Sequence, residues 1–169
     1  ALGRLKASGR PVPNVKIVGA GHTHEYVQSV KDQVARSGLA DNVSFMENVK
    51  PNEVAELFRH AYAALMPAIW FENLPNSVIE AFASGCPVIS SRIGSLAAVV
   101  SHEFNGLHHE PGDAASLAEA IDRLLADPNL RNRLAEGARF TSDNYYSSRT
   151  HINKLLGLFS TLTADRDLK

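Results

Sequence analysis

Two glutamates, Glu72 and Glu80, close the run E-N-L-P-N-S-V-I-E with seven residues between them. Pro75-Asn76-Ser77 has the composition of a helix start, with Asn76 or Ser77 as capping residue. Glu72 then falls in the loop before the helix, and Glu80 about one turn inside it. Between the two acids lie N–H groups that the first helical turn cannot use internally. That end is also the positive pole of the helix dipole, so it attracts anions. Two carboxylates would repel a phosphate if they were its ligands. They suit hydroxyl groups on either side of a bound diphosphate, such as a sugar on one side and a ribose on the other. Taken singly, each acid is better explained as a solvated surface residue, one in a loop and one on a helix.

Other chemistry-bearing residues carry weaker signals. Gly19-Ala20-Gly21 permits close backbone approach after a strand. It lacks the third glycine and the following acid of a dinucleotide fingerprint, which argues against a nicotinamide cofactor. His22 and His24 flank Thr23, and His108 adjoins His109. Zinc needs three or four convergent ligands, and neither pair has a partner pattern, so both read as solvated loop histidines. The single cysteine, Cys86, cannot form an internal disulfide. It reads as a small core residue in a reducing compartment.

These groups need elements to position them. Val15–Val18, Val43–Met46, Tyr62–Met66, Pro87–Ser90 and Gly106–His108 read as strands. Helical stretches alternate with them. One carries Tyr26, Val27, Val30 and Val34 on one face and ends at Ser37-Gly38. Another starts at Pro51-Asn52-Glu53 and turns Val54, Leu57, Phe58 and Ala61 inward. A third runs from the glutamate segment to about Ser84, with Gly85 as the turn into the next strand. Asp113 and Asp127-Pro128 are helix-start signals, and the last helix aligns Ile152, Leu155, Leu156, Phe159 and Leu162, most simply for core packing. The pattern predicts an α/β fold: one domain over 1–169, a Rossmann-like doubly wound parallel sheet, and a helical C-terminal tail that is loosely held over 163–169. Such sheets bind ligands at the carboxyl ends of their strands, here the loops after Val18, Met46, Met66 and Ser90.

With 169 residues and 44% hydrophobic content, the chain supports one core. Its net charge is −1, and its basic residues are scattered, which argues against nucleic-acid binding. No apolar run approaches the roughly 20 residues that span a bilayer, and the opening residues do not read as a signal peptide.

The run M-P-A-I-W-F-E-N-L-P-N-S-V-I-E-A-F-A-S-G-C-P-V-I-S-S-R-I-G resembles the retaining glycosyltransferases of the GT-B architecture, in particular glycosyltransferase family 4, also called glycosyl transferases group 1. I-V-G-A-G, F-N-G-L-H and P-G-D-A-A-S-L-A-E-A-I extend the likeness over nearly the whole chain. The resemblance implies the C-terminal, donor-binding domain of a two-domain enzyme, whose terminal helix often crosses to the other domain and would leave part of the Ile152–Leu162 stripe uncovered here. Glu72 would accept hydrogen bonds from donor-sugar hydroxyls, as catalytic and donor-binding residue. Glu80 would take the ribose. Asn73 and Leu74 would meet the sugar through their backbone, and Asn76 and Ser77 would meet the diphosphate. Gly19 and Gly21 would allow close approach, and the base would pack near Glu47-Asn48-Val49.

Three departures qualify the match. Pro75 stands where glycine is common and removes one N–H from the phosphate cradle. Ser95 replaces one of a glycine pair, and Ala98 occupies a glutamate position. The family's diphosphate-clamping Arg and Lys lie on a strand–helix unit for which too little sequence precedes Val15. Residues 1–10 therefore read as the end of that unit's helix, and Arg4 and Lys6 as solvated charges. The resulting expectation is a glycosyltransferase domain that is inactive by itself. It would use a nucleoside diphosphate sugar without cofactor or metal, and serve polysaccharide, lipopolysaccharide or glycoconjugate synthesis. Its partner would be an N-terminal acceptor domain, and its place the cytoplasm, with any contact at the inner membrane face made by that domain. The alternatives are a non-catalytic nucleotide-sugar-binding or partner domain with a decayed site, and a GT-B nucleotide-sugar epimerase.

Overall fold

The computed structural model describes residues 1–19 and 23–164. Five strands occur among them: β1 (Val15–Val18), β2 (Val43–Met46), β3 (Ala64–Met66), β4 (Val88–Ser91) and β5 (Gly106–His109). The helices are α1 (Leu2–Ala7), α2 (His24–Arg36), α3 (Pro51–His60), α4 (Asn76–Ala83), α5 (Gly94–Val99), α6 (Ala114–Ala126), α7 (Pro128–Thr141) and α8 (Ser148–Ala164), with a π turn at Ser142–Tyr146 between the last two. Residues 165–169 of the expected loose tail lie outside the described residues, while Thr163 belongs to α8.

All strand pairs are parallel, as the strand–helix alternation predicts, and each crossover is bridged by a helix. The hydrogen-bonded ladder is divided, however. β1 pairs with β2, matching Val15 to Val43 and Val18 to Met46. β3, β4 and β5 form a second sheet in that order, matching Ala64 to Val88 and Val88 to Gly106. No described strand bridges β1 and β3, so the continuous sheet expected from the sequence is two parallel sheets here.

The core sits around the three-stranded sheet. Successive strand residues point to opposite faces, and Val88 and Ile89 of β4 accordingly head two separate clusters. On one face Val88 packs with Val78, Phe82, Leu96, Val100 and Ala138, which brings together α4, α5 and α7. On the other, Ile89 packs with Leu5, Leu107, Ile121, Leu124 and Leu134, from α1, β5, α6 and α7. Each fully buried side chain of this size contributes about 1.5–3 kcal/mol of transfer free energy. By contrast Ile17 and Val18 of β1 are 41% and 42% exposed, and no residue of α2 or α3 is buried.

Local sequence explains the helix ends. Thr23 accepts a hydrogen bond from the Tyr26 N–H at the start of α2, and Gly38 takes a positive φ of 63° just beyond its end. Asp113 caps α6 through the N–H groups of Ala115 and Ser116, and Asp127 caps α7 through that of Leu130. Asn105, 1% exposed, accepts from Ser101 N–H and donates to Val99 C=O and Thr141 Oγ1, so its buried amide is satisfied at the turn before β5.

Several expectations are corrected. β3 begins at Ala64, because Tyr62 turns its ring outward and its hydroxyl reaches the Leu124 carbonyl at 3.3 Å. α5, six residues long, has too few positions for its period to stand out. The α8 stripe is not core packing. Ile152, Leu155, Leu156, Phe159 and Leu162 are each more than 40% exposed, since no described element covers them. His109 is not a solvated loop residue either. It lies on β5, 3% exposed, with Nε2 3.3 Å from Ser91 Oγ and Nδ1 2.9 Å from the Glu110 carbonyl. His108 is half-buried on the same strand, and His24 opens α2.

Candidate functional site

β3 delivers the chain to the carboxyl edge of its sheet at Met66, and α4 carries it back from Asn76. The loop between them holds Glu72. Parallel pairing puts the ends of β1, β2 and β4 at the same edge of their sheets, where loops begin at Gly19, Glu47 and Arg92.

The start of α4 differs from the sequence expectation in one respect. Pro75, not Asn76 or Ser77, occupies the capping position, with φ −71° and ψ 124°, and no side chain caps the helix. Proline's ring fixes φ in the extended range needed there. The Ser77 hydroxyl turns instead toward Met66 Sδ at 3.7 Å. Asn76 and Ser77 thus stand at the first two helical positions, where N–H groups have no intrahelical acceptor. The Val78 N–H bonds back to the Pro75 carbonyl at 3.1 Å.

Glu72 is exposed, and its carboxylate accepts a hydrogen bond at Oε1 from the Trp70 indole N–H. The Ser95 hydroxyl reaches the Glu72 carbonyl at 2.9 Å and the Asn73 carbonyl at 3.1 Å. An open cavity of about 270 Å³ lies beside this loop, lined by Met66, Pro67, Trp70, Glu72, Ser77 and Leu96 among others. The cavity thereby brings Glu72 and Ser77 together. Asn73, Leu74 and Asn76 are exposed on the same segment, and Glu80 is exposed on α4. None of these four lines the cavity.

Gly19 closes β1 with φ 135°, and its N–H bonds to the Met46 carbonyl at 3.0 Å. Val49 is half-buried after Asn48, which holds a left-handed φ of 55°. Both stand at the carboxyl edge of the β1–β2 sheet, and neither lines the cavity beside Glu72. Gly21 and His22 lie outside the described residues. Lys6 is not merely solvated: its ammonium donates to the Gly38 carbonyl. Arg4 is exposed, as expected.

Among the described residues no group of three or more His, Cys, Asp or Glu could hold a metal ion. An Asp165-Arg166-Asp167 pair in the tail lies outside them. Two residues at the site were missed from sequence. Trp70 has a local signal, the Trp-x-Glu spacing. Ser95 stands out in the sequence only as a departure from the glycine pair, and its contacts were not legible because its partners are more than twenty positions away.

The model of the family described as glycosyl transferases group 1 matches residues 1–140. The chain is 30% identical over 164 residues to a D-inositol 3-phosphate glycosyltransferase of Stackebrandtia nassauensis, covering 94% of this chain and 37% of that protein. It is 33% identical over 150 residues to the lipopolysaccharide core biosynthesis glycosyltransferase LpsD of Rhizobium meliloti, covering 89% of this chain and 42% of that one. It therefore spans about two fifths of the length of these relatives. HepE of Anabaena, solved in complex with UDP, superposes with a TM-score of 0.85 at 22% identity, over 95% of this chain and 44% of that chain. HepE has also been solved in complex with UDP-glucose.

Proposed function

The chain belongs to the glycosyl transferases group 1 family, and from that premise we propose that it is the donor-binding domain of a retaining, family 4 glycosyltransferase. Such an enzyme moves a sugar from a nucleoside diphosphate sugar to a glycan, lipid or other acceptor. The observation that carries this reading is the uncapped start of α4, flanked by Glu72 and Glu80 at the carboxyl edge of a parallel sheet.

The chemistry follows from that layout. The N–H groups of Asn76 and Ser77 and the positive end of α4 hold the diphosphate and stabilise its charge as the glycosidic bond breaks through an oxocarbenium-like state. The second carboxylate oxygen of Glu72 accepts from sugar hydroxyls, and the backbone of Asn73 and Leu74 meets the sugar. Glu80 binds the ribose, and Gly19, Gly21 and Val49 border the base or its phosphates. Pro75 costs the cradle one N–H, while its fixed φ starts the helix with the next two free. The reaction needs no metal or cofactor in this reading. An N-terminal domain supplies the acceptor, further cations and any contact with the inner membrane face, so the chain by itself is inactive. Its place is the cytoplasm.

A partner domain with a decayed site is the second reading, favoured by Ala98, which is exposed on α5 where the family places a glutamate. Calorimetry with UDP, GDP and their sugars separates the two. A live site binds one nucleotide pair, and Glu80→Ala weakens it about 10- to 100-fold, the worth of a hydrogen bond to a charged group. Absence of nucleotide binding would support the decayed site.

A further inference from the structure

We propose that Ser95 is a positioning residue, which holds the Phe71–Asn73 loop on α5 so that Glu72 faces the donor sugar. This rests on the reading of Glu72 given above. The Ser95 hydroxyl has one proton to share between the Glu72 and Asn73 carbonyls, at 2.9 and 3.1 Å. Among the described residues, these are the only hydrogen bonds that tie the backbone of Phe71–Leu74 to another part of the chain.

The neighbouring residue supplies a second, independent contact. Gly94 has φ 50°, and a Cβ there would stand 2.9 Å from Cδ1 of Phe71. The aromatic ring, 80% exposed, therefore lies over bare backbone, and a side chain at position 94 would make it shift. Gly94 and Ser95 thus grip consecutive residues of the loop, one by ring contact and one by hydrogen bonding. From the other side, the Trp70 indole holds one carboxylate oxygen of Glu72 and leaves the other free to accept. An exposed acid held at its backbone and at one oxygen loses little freedom when a hydroxyl binds. Ser95, a departure from the family's paired glycines, thereby has a task at the donor site.

The test uses the full-length protein and matched probes, UDP with UDP-glucose and GDP with GDP-mannose. For whichever pair binds, Ser95→Ala is expected to weaken the nucleotide-sugar about tenfold and leave the free nucleotide unchanged, because only the sugar meets Glu72. Ser95→Thr, which keeps the hydroxyl, should restore the preference. In a Glu72→Ala background, Ser95→Ala should have no further effect. An equal loss for nucleotide and nucleotide-sugar, or an unchanged ratio between them, would overturn the role. If the wild type binds neither nucleotide, the donor-site reading fails and this role fails with it.

Discussion

The placement of Glu72 before a helix start and of Glu80 within that helix was legible from residue types and spacing, because Pro-Asn-Ser marks where the orphan N–H groups begin. The contacts of Ser95 were not, since only the folded chain brings α5 against the loop before α4. The histidines show the same limit. Polarity suggested solvent, yet the Ser91 hydroxyl and the Glu110 carbonyl satisfy His109 inside the fold. Burial lowers the pKa of His108 from its ordinary value, so the fold favours its neutral form. The unfolded chain then binds the proton more readily. This contribution to stability is present above the ordinary histidine pKa of about 6.5 and is lost as pH falls through the lower, folded value. Urea melts between pH 8 and 5 should therefore show stability falling on acidification, with a shallower fall for His108→Gln. Burial likewise pushes the Cys86 thiol up to about 11. At pH 8 iodoacetamide should modify it slowly in the native chain and rapidly in urea, and equal rates would mean that the thiol is exposed.

At the scale of elements, caps and turns carried the reading well. Asp113 and Asp127 cap α6 and α7 as their positions before the apolar periods suggested. Asp127→Ala should cost about 1 kcal/mol by chemical melts, the usual worth of such a cap. What the sequence could not reveal was close approach between elements. Gly137 lies within α7, where glycine is otherwise a poor helix former. A Cβ there would stand 1.9 Å from the Phe104 carbonyl oxygen, so the helix touches the turn before β5 through bare backbone. Gly137→Ala raises helix propensity and should still destabilise the chain by about 1–3 kcal/mol or more, because backbone must move. A stabilised variant would show that α7 does not pack as described.

For the molecule as a whole, alternation of strands and helices gave the parallel α/β class, while the division of the sheet came from topology alone. β4, buried along its whole length, centres the core, whereas β1 leaves two apolar residues exposed and α8 leaves an entire stripe exposed. Hydrogen exchange should follow that asymmetry, with β4 and β5 amides slowest and those of β1 and α2 faster. Uniform protection would mean that the two sheets open as one unit. The chain spans about two fifths of the length of these relatives. The central claim is that a nucleoside diphosphate sits at the start of α4. A crystal structure of the full-length protein with UDP or GDP tests it most directly. Diphosphate oxygens should lie on the Asn76 and Ser77 N–H groups, with the ribose hydroxyls on Glu80. A nucleotide bound away from that helix start, with Glu72 and Glu80 both left in solvent, would contradict it.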